Sequence, residues 1–304
     1  MTPMAAIRMD VRAALKEGMA RLRAAGVASH SLAAELLLMH ALGRDRTWLY
    51  THPEEMVDGA AVELFFAMVG RRAAGEPTQY LTGKQEFWGM EFEVTPAVLI
   101  PRPETEHVVE VALERLGLRG IKMDMKTGAA MPELLVADVG TGSGCLAVAL
   151  ARELPHARLA ATDISAAAIE VARRNAERLG VAGQIEFREA DLLRGTGEDA
   201  RFDLIVSNPP YIAEGEKESL QREVREHEPA GALFGGASGM EIYARLIEEA
   251  RARLLAGGIL VMELGHDSRA SVEAMLEEPR GWREIRVTQD LAGIPRVISA
   301  VLEN

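Results

Sequence analysis

Residues 137–150 read ADVGTGSGCLAVAL: an apolar run that closes on glycines, then a helical pattern of small apolar residues. The run leading into it, ELLVADVG, is strand-like. Gly140, Gly142 and Gly144, with Thr141 and Ser143 between them, therefore fill a strand-to-helix turn. Glycine there lets the backbone approach a ligand closely and presents the N–H groups of a helix start. A Walker loop requires Lys and Ser/Thr after the last glycine, where this chain has Cys145 and Leu146, so that reading is excluded. The dinucleotide fingerprint is spaced G-x-G-x-x-G, and the spacing G-x-G-x-G weakens it. A purely structural glycine turn competes with any ligand-binding reading of this loop taken alone.

The alternation continues outward from the loop. Strand-like runs in ARLAATDIS, QIEFREADLL, FDLIVSNPPY and GGILVMELG are separated by helical patterns in AAAIEVARRNAERLG and MEIYARLIEEARARLL. A helix near 267–278 and strands from WREIRVTQD to VISAVLEN complete the pattern. This order predicts an α/β, doubly wound, Rossmann-like sheet whose ligands bind at the carboxyl ends of strands. Up to about residue 85 the pattern is helical instead. SLAAELLLMHALG predicts a buried helix ending near Gly43. DGAAVELFFAMVGRRAAGEP predicts a helix capped by Asp58, with Val62, Phe65, Phe66 and Val69 on its apolar face and Gly75 and Pro77 as stops. The chain is thus expected to divide into an N-terminal helical bundle (1–85) and an α/β domain (86–304). A hairpin at 86–98, turning near Gly89, links them, and LIPRPETEHVVEVALERL reads as a proline-rich turn feeding a helix. Residues 120–132 lack periodicity and predict a mobile loop.

A chain of 304 residues can build two domains and a core without disulfide staples. The single cysteine, Cys145, has no internal partner, and the seven histidines lack metal-ligand spacing, so no metal site is expected. No apolar run approaches the ~18 residues of a membrane span, and MTPMAAIRMD lacks the apolar centre of a signal peptide, which predicts a cytoplasmic protein. The formal charge of −12 is unevenly placed: residues 1–88 carry 10 basic and 10 acidic side chains, leaving 24 against 36 for the remainder. An acidic α/β domain argues against a long nucleic-acid footprint.

Three further positions carry chemistry. Asp163, in AATDIS, ends the strand after the glycine loop, 23 residues beyond Gly140, where a carboxylate can accept hydrogen bonds from both ribose hydroxyls of a nucleoside. Capping of the following helix is an equally good reading of Asp163. Asp191, in EADLL, ends the next strand and can accept from an exocyclic adenine amine, though capping explains it as well. The third position is S-N-P-P-Y at 207–211. Proline fixes its own φ and holds the preceding residue extended, so Asn208, Pro209 and Pro210 form a stiff strand end. The Asn208 side-chain carbonyl and the Pro209 backbone carbonyl can together hold both hydrogens of a planar NH₂ group, while Tyr211 stacks on its face. Such a nitrogen is a poor nucleophile because its lone pair is delocalised. Two acceptors favour its pyramidalisation and aim it along one line. No strong base is required, because the methylated cation is far more acidic than the neutral amide.

In this order, G-T-G-S-G, Asp163 and N-P-P-Y resemble the S-adenosylmethionine-dependent N-methyltransferases of amino-adenine and glutamine. More particularly, QYLTGKQEFWGMEFEVTPAVLIPRPETE, the HEP of EVREHEPAGALFGG, SGMEIYARLI, DLAGIPRV and AELLLMHALG resemble the peptide chain release factor glutamine methyltransferase (PrmC/HemK) family over nearly the whole chain. The resemblance implies methyl transfer from S-adenosylmethionine, leaving S-adenosylhomocysteine, to the glutamine side-chain nitrogen in the Gly-Gly-Gln loop of class I release factors. It implies that Gly140 to Gly144 cradle the methionine part, that Asp163 holds ribose and that Asn208 to Tyr211 hold the acceptor amide. It also assigns the grip on the protein substrate to the N-terminal bundle. Where some members have an aromatic residue after the strand-end acid, this chain has Leu192, which implies apolar contact near adenine. Arg102, Glu104 and Thr105 belong to the family signature, and a salt-bridged helix start accounts for them equally well. The expected protein is a monomer bound to no membrane or nucleic acid. The rival enzyme class, an adenine-N6 methyltransferase of DNA or RNA, shares the planar NH₂ chemistry but requires a basic face and a base-flipping platform.

Overall fold

The computed structural model describes residues 9–118, 133–197, 199–278 and 281–303. The loop expected at 120–132 lies outside them. The chain forms two compact units, Met1–Lys84 with Gln221–His227, and Gln85–Leu220 with Glu228–Asn304.

In the first unit, β1 (Met9–Asp10) pairs with β2 (Met56–Val57), and the helices α1 (Val11–Ala24), α2 (His30–Leu42), α3 (Arg46–Thr51), α4 (Gly59–Ala73) and α5 (Thr78–Thr82) share one apolar core. α2 ends where Gly43 takes φ +61°, the left-handed conformation that closes a helix with little strain only at glycine. The face of α4 is as the 3.6-residue period requires: Val62, Phe65, Met68 and Val69 are buried and Phe66 packs beside them. Asp58 stands at the N-cap of α4, but its side chain makes no capping bond.

The second unit opens with a hairpin, β3 (Lys84–Phe87) and β4 (Met90–Glu93). Its turn residues Trp88 and Gly89 both take positive φ, at 54° and 67°, as a two-residue turn of this hand demands. The unusual backbone of Trp88 is held from outside: its N–H donates to Glu106 at 2.7 Å and its indole N–H to Glu153 at 2.9 Å. A 3₁₀ turn (Pro103–Thr105) then feeds α6 (Glu106–Leu118). The alternating part follows as β5 (Leu134–Val139), α7 (Cys145–Glu153), β6 (Ala157–Asp163), α8 (Ala166–Arg178), β7 (Ile185–Glu189) and β8 (Phe202–Ser207). After α9 (Arg222–His227), which groups with the first unit, come α10 (Ala230–Leu233), α11 (Glu241–Arg253), β9 (Leu254–Glu263), α12 (Arg269–Glu277), β10 (Trp282–Gln289) and β11 (Pro295–Leu302).

Seven strands form one sheet in the order β10-β11-β9-β8-β5-β6-β7. The five from β9 to β7 are parallel, and β11 and β10 are antiparallel additions. The doubly wound expectation is therefore met. One face is covered by a cluster that includes α6 and α7, the other by a cluster that includes α11 and α12. Buried on both faces, the central strands read as continuous apolar runs. The strand order reverses between β5 and β8, so the segments leaving the carboxyl ends of these two strands part and leave a crevice there.

Candidate active site

The crevice holds a cavity of about 450 Å³, within the ~300–1,000 Å³ range of small-molecule sites. Gly140, Thr141, Gly142, Ser143, Asp163, Asp191, Leu192, Asn208 and Pro210 all line it, so residues spread over 70 positions of sequence converge on one wall. Gly144, Pro209 and Tyr211 do not line it.

The glycine loop is built from below by Asp138, a carboxylate one residue before the end of β5. It is fully buried, accepts the Thr141 hydroxyl at 2.6 Å and the Ala147 N–H at 3.0 Å, and so ties the loop to the first turn of α7. Burial pushes its carboxyl up to about 7. The Gly140 and Thr141 N–H groups donate to the Thr162 carbonyl, and Asn175 of α8 donates to the Ser143 carbonyl at 2.9 Å. Gly140 and Gly142 take φ +73° and +55°, and a Cβ on either would stand in open space, which leaves bare backbone against the cavity. Gly144 serves packing instead: a Cβ there would meet Ala172 Cβ at 3.0 Å, so its absence lets α7 and α8 close together.

Asp163 is at the end of β6. Its Oδ2 accepts the Gly142 N–H and its Oδ1 the Ser165 N–H, each at 2.9 Å. The capping alternative is corrected by Ser165, whose hydroxyl is the group that caps α8 through Ala168 N–H at 3.2 Å. Asp163 is thus aimed at the loop, and burial raises its carboxyl against the pull of these N–H donors. Asp191 is gripped through Oδ2 by Arg245 at 2.5 Å. Leu192, beside it, takes a positive φ of 52° and turns its chain segment along the cavity wall.

At the end of β8, the Ser207 hydroxyl donates to the Val139 carbonyl of β5 at 2.6 Å, locking the paired ends of the two strands. Asn208 follows, half-buried, with Nδ2 donating to Thr105 Oγ1 at 3.1 Å, and among the described residues no donor reaches its Oδ1. Tyr211, outside the cavity lining, packs over Gly265, where a Cβ would come within 2.6 Å of its ring. Burial pushes its phenol up to about 12. The turn is braced by the segment after α10: Ile212 bridges Phe234, and a Cβ on Gly235 or Gly239 would come within 2.4 Å of the Pro210 or Tyr211 carbonyl oxygen.

The LIPRPETE signature resolves into separate attachments. Arg102 pairs with the buried Glu228 at 2.5 Å, and the Ile100 N–H donates to the same carboxylate at 3.4 Å. This gives the Glu of HEP a task, holding the 100–102 segment on the cavity wall. Glu104 faces Arg296 at 3.6 Å. Thr105 donates to the buried Glu263 at 2.6 Å. Sequence reasoning missed Asp138, Asn175 and Glu263. Asp138 and Glu263 left a signal as polar residues inside or closing an apolar run, in LLVADVG and GGILVMELG, and Asn175 as a polar residue on the apolar face of the helix AAAIEVARRNA.

A sheet of this order, with a glycine loop, a strand-end carboxylate and Asn-Pro-Pro-Tyr around its switch point, defines a Rossmann-like methyltransferase. Residues 125–227 match the family model of the methyltransferase small domain, and residues 13–83 that of the PrmC N-terminal domain. The catalytic domain of hMettl16, solved in complex with MAT2A 3'UTR hairpin 6, shares the fold: TM-score 0.54 at 17% identity, covering 77% of this chain and 81% of that one. Three relatives are each named release factor glutamine methyltransferase. That of Koribacter versatilis is 43% identical, covering 95% of this chain and 98% of its own. That of Nitratidesulfovibrio vulgaris is 41% identical (99% and 98%), and that of Chlorobaculum tepidum 44% identical (90% and 90%). The chain belongs to the release factor glutamine methyltransferase family.

Proposed function

We propose that this chain transfers one methyl group from S-adenosylmethionine to the side-chain amide nitrogen of the glutamine in the Gly-Gly-Gln motif of class I release factors. The observation that carries the reading is Asn208: a rigid carboxamide on the cavity wall with its Oδ1 unmet, in a chain that matches release factor glutamine methyltransferases along their length. The bare loop at Gly140 and Gly142 and the inward carboxylate of Asp163 suit the donor, with the loop taking its methionine part and Asp163 its ribose. Leu192 gives apolar contact to adenine, and Asp191, oriented by Arg245, accepts from its amine. Bound there, S-adenosylmethionine supplies an electrophilic methyl on a sulfonium. Asn208 Oδ1 and the Pro209 carbonyl hold the two hydrogens of the acceptor amide and aim its lone pair into the cavity. Pro209 and Pro210 keep these acceptors from relaxing, and the half-buried ring of Tyr211, packed over Gly265, backs the turn. The proton leaves the methylated nitrogen to water, because that cation is strongly acidic.

No helix among the described residues is long and apolar enough to cross a membrane. Placement in the cytoplasm follows from a substrate that works in translation. The acidic excess beyond residue 88 weighs against nucleic acid as acceptor, and so against adenine-N6 methylation. Incubation of the enzyme with S-adenosylmethionine and purified release factor is expected to add a single methyl to the Gly-Gly-Gln peptide, read by fragmentation mass spectrometry. Labelled methyl on DNA or RNA, with release factor unmodified, would reverse the assignment.

The donor side has its own test. Asp163→Ala removes a charged acceptor and is expected to weaken S-adenosylhomocysteine binding by about 10-fold or more, while turnover at saturating donor stays within a few-fold. Calorimetric titration showing unchanged affinity would remove Asp163 from the donor site.

A further inference from the structure

Asn208 serves an acceptor amide only when its carbonyl oxygen, rather than its NH₂, faces the cavity. A carboxamide is nearly symmetric in shape and can exchange its two ends by rotating its last torsion. We propose that Thr105 and Glu263 decide between the two: they form a buried donor-to-acceptor relay that locks Asn208 with Oδ1 toward the cavity, and so act as positioning residues for methyl transfer. The proposal rests on the reading of Asn208 as the holder of the acceptor amide.

The relay is short, and two of its three members are buried. Asn208 Nδ2 donates to Thr105 Oγ1 at 3.1 Å, and Thr105 Oγ1 donates to Glu263 Oε2 at 2.6 Å. Thr105 is 2% exposed and Glu263 3%. The fold brings them together from distant sequence. Glu263 ends β9 directly after Met262, whose partner in β8 is Ser207, so Glu263 lies abreast of Asn208, and Thr105 closes the 3₁₀ turn before α6. The direction of the relay follows from proton counting. An ionised carboxylate only accepts, so the hydroxyl must give it its single proton. Only lone pairs then remain toward Asn208, and the carboxamide must answer with its NH₂. A threonine without the carboxylate could donate or accept and would select nothing.

The same counting gives a pH dependence. Burial pushes the Glu263 carboxyl up to about 7. Glu104 adds to the rise, while the Thr105 hydroxyl, Arg296 and Arg102 oppose it. The other ionisable groups that sense Glu263 are Tyr211, Tyr243 and Cys145. Burial raises all three, Tyr211 and Cys145 to about 12, so they stay neutral through this range. Once protonated, Glu263 donates to Thr105, the hydroxyl turns to Asn208, and the carboxamide flips its NH₂ into the cavity. No atom leaves the site in this change.

The test uses the full chain with release factor at saturating S-adenosylmethionine. Thr105→Val keeps the shape and removes the hydroxyl. It is expected to lower kcat on the order of 10- to 100-fold with S-adenosylhomocysteine affinity unchanged, and Thr105→Ser to restore most of the loss. In the wild type, kcat should fall as pH drops from about 8 to about 6, and Glu263→Gln should flatten that limb whether or not Thr105→Val folds. Full kcat in Thr105→Val, a loss that serine does not rescue, or an unchanged acid limb in Glu263→Gln would each overturn the relay. A wild type that leaves release factor unmethylated would instead overturn the function on which the relay rests.

Discussion

Asn208→Ala is expected to lower methyl transfer on the order of 10²-fold or more while donor affinity stays close to wild type. The split follows from where the two ends of the side chain go. Nδ2 is tied to Thr105, and Oδ1 is left for the acceptor. Asp163, in contrast, touches the loop directly through the Gly142 N–H. An acceptor oxygen that meets an amide only when its nitrogen pyramidalises contributes to the transition state more than to binding. Its removal should therefore appear in kcat rather than in the affinity for S-adenosylhomocysteine. Single-turnover transfer to release factor, set beside calorimetric titration of the product, measures both. Parallel losses in the two would mean that Asn208 belongs to the donor site and that the acceptor is held elsewhere.

The glycine loop and its strand were legible because local chemistry dictates them. Gly140 and Gly142 take positive φ, and every buried position of β5 except Asp138 is apolar. Asn208 was legible because the proline that follows it holds its backbone extended. The supports of these residues were not legible in the same way. Asp138, Asn175 and Glu263 act through partners 3 to 158 positions away in sequence, and no periodicity encodes which buried polar side chain meets which. Each did break an apolar pattern, and a buried polar group without an evident partner is a local conflict that a fold tolerates where it gains function. Gly144 and Tyr211 mark the opposite limit. Their motifs named them as ligand contacts; neither lines the cavity, and they pack on Ala172 and on Gly265, so membership in a motif does not by itself tell the wall of the site from its backing.

Removal of the helical bundle is expected to separate recognition from chemistry. Each unit has its own apolar core. The bundle core runs from Val11 to Leu81, and the sheet cores draw on residues from Phe87 to Val301, so the α/β unit keeps its core and its whole cavity without the first 83 residues. A chain beginning at Lys84 should retain the Trp88–Gly89 hairpin and bind S-adenosylhomocysteine as the full chain does. The expected loss lies in the protein substrate. A release factor held at two places, the glutamine loop and a remote surface, gains from the second contact through effective concentration. Deleting the bundle should then reduce kcat/KM for intact release factor on the order of 10²-fold. A free Gly-Gly-Gln peptide too short to reach a second contact should be methylated equally slowly by both chains. The structure adds one control: the segment Gln221–His227 groups with the bundle, with Glu223 paired to Arg72 at 2.5 Å, so the shortened chain also needs Arg222 and Glu223 replaced by neutral residues to exclude trivial loss from a stranded helix. If that chain folds, binds donor and methylates intact release factor at the full rate, the bundle only stabilises the protein and the grip on the release factor belongs to the α/β unit.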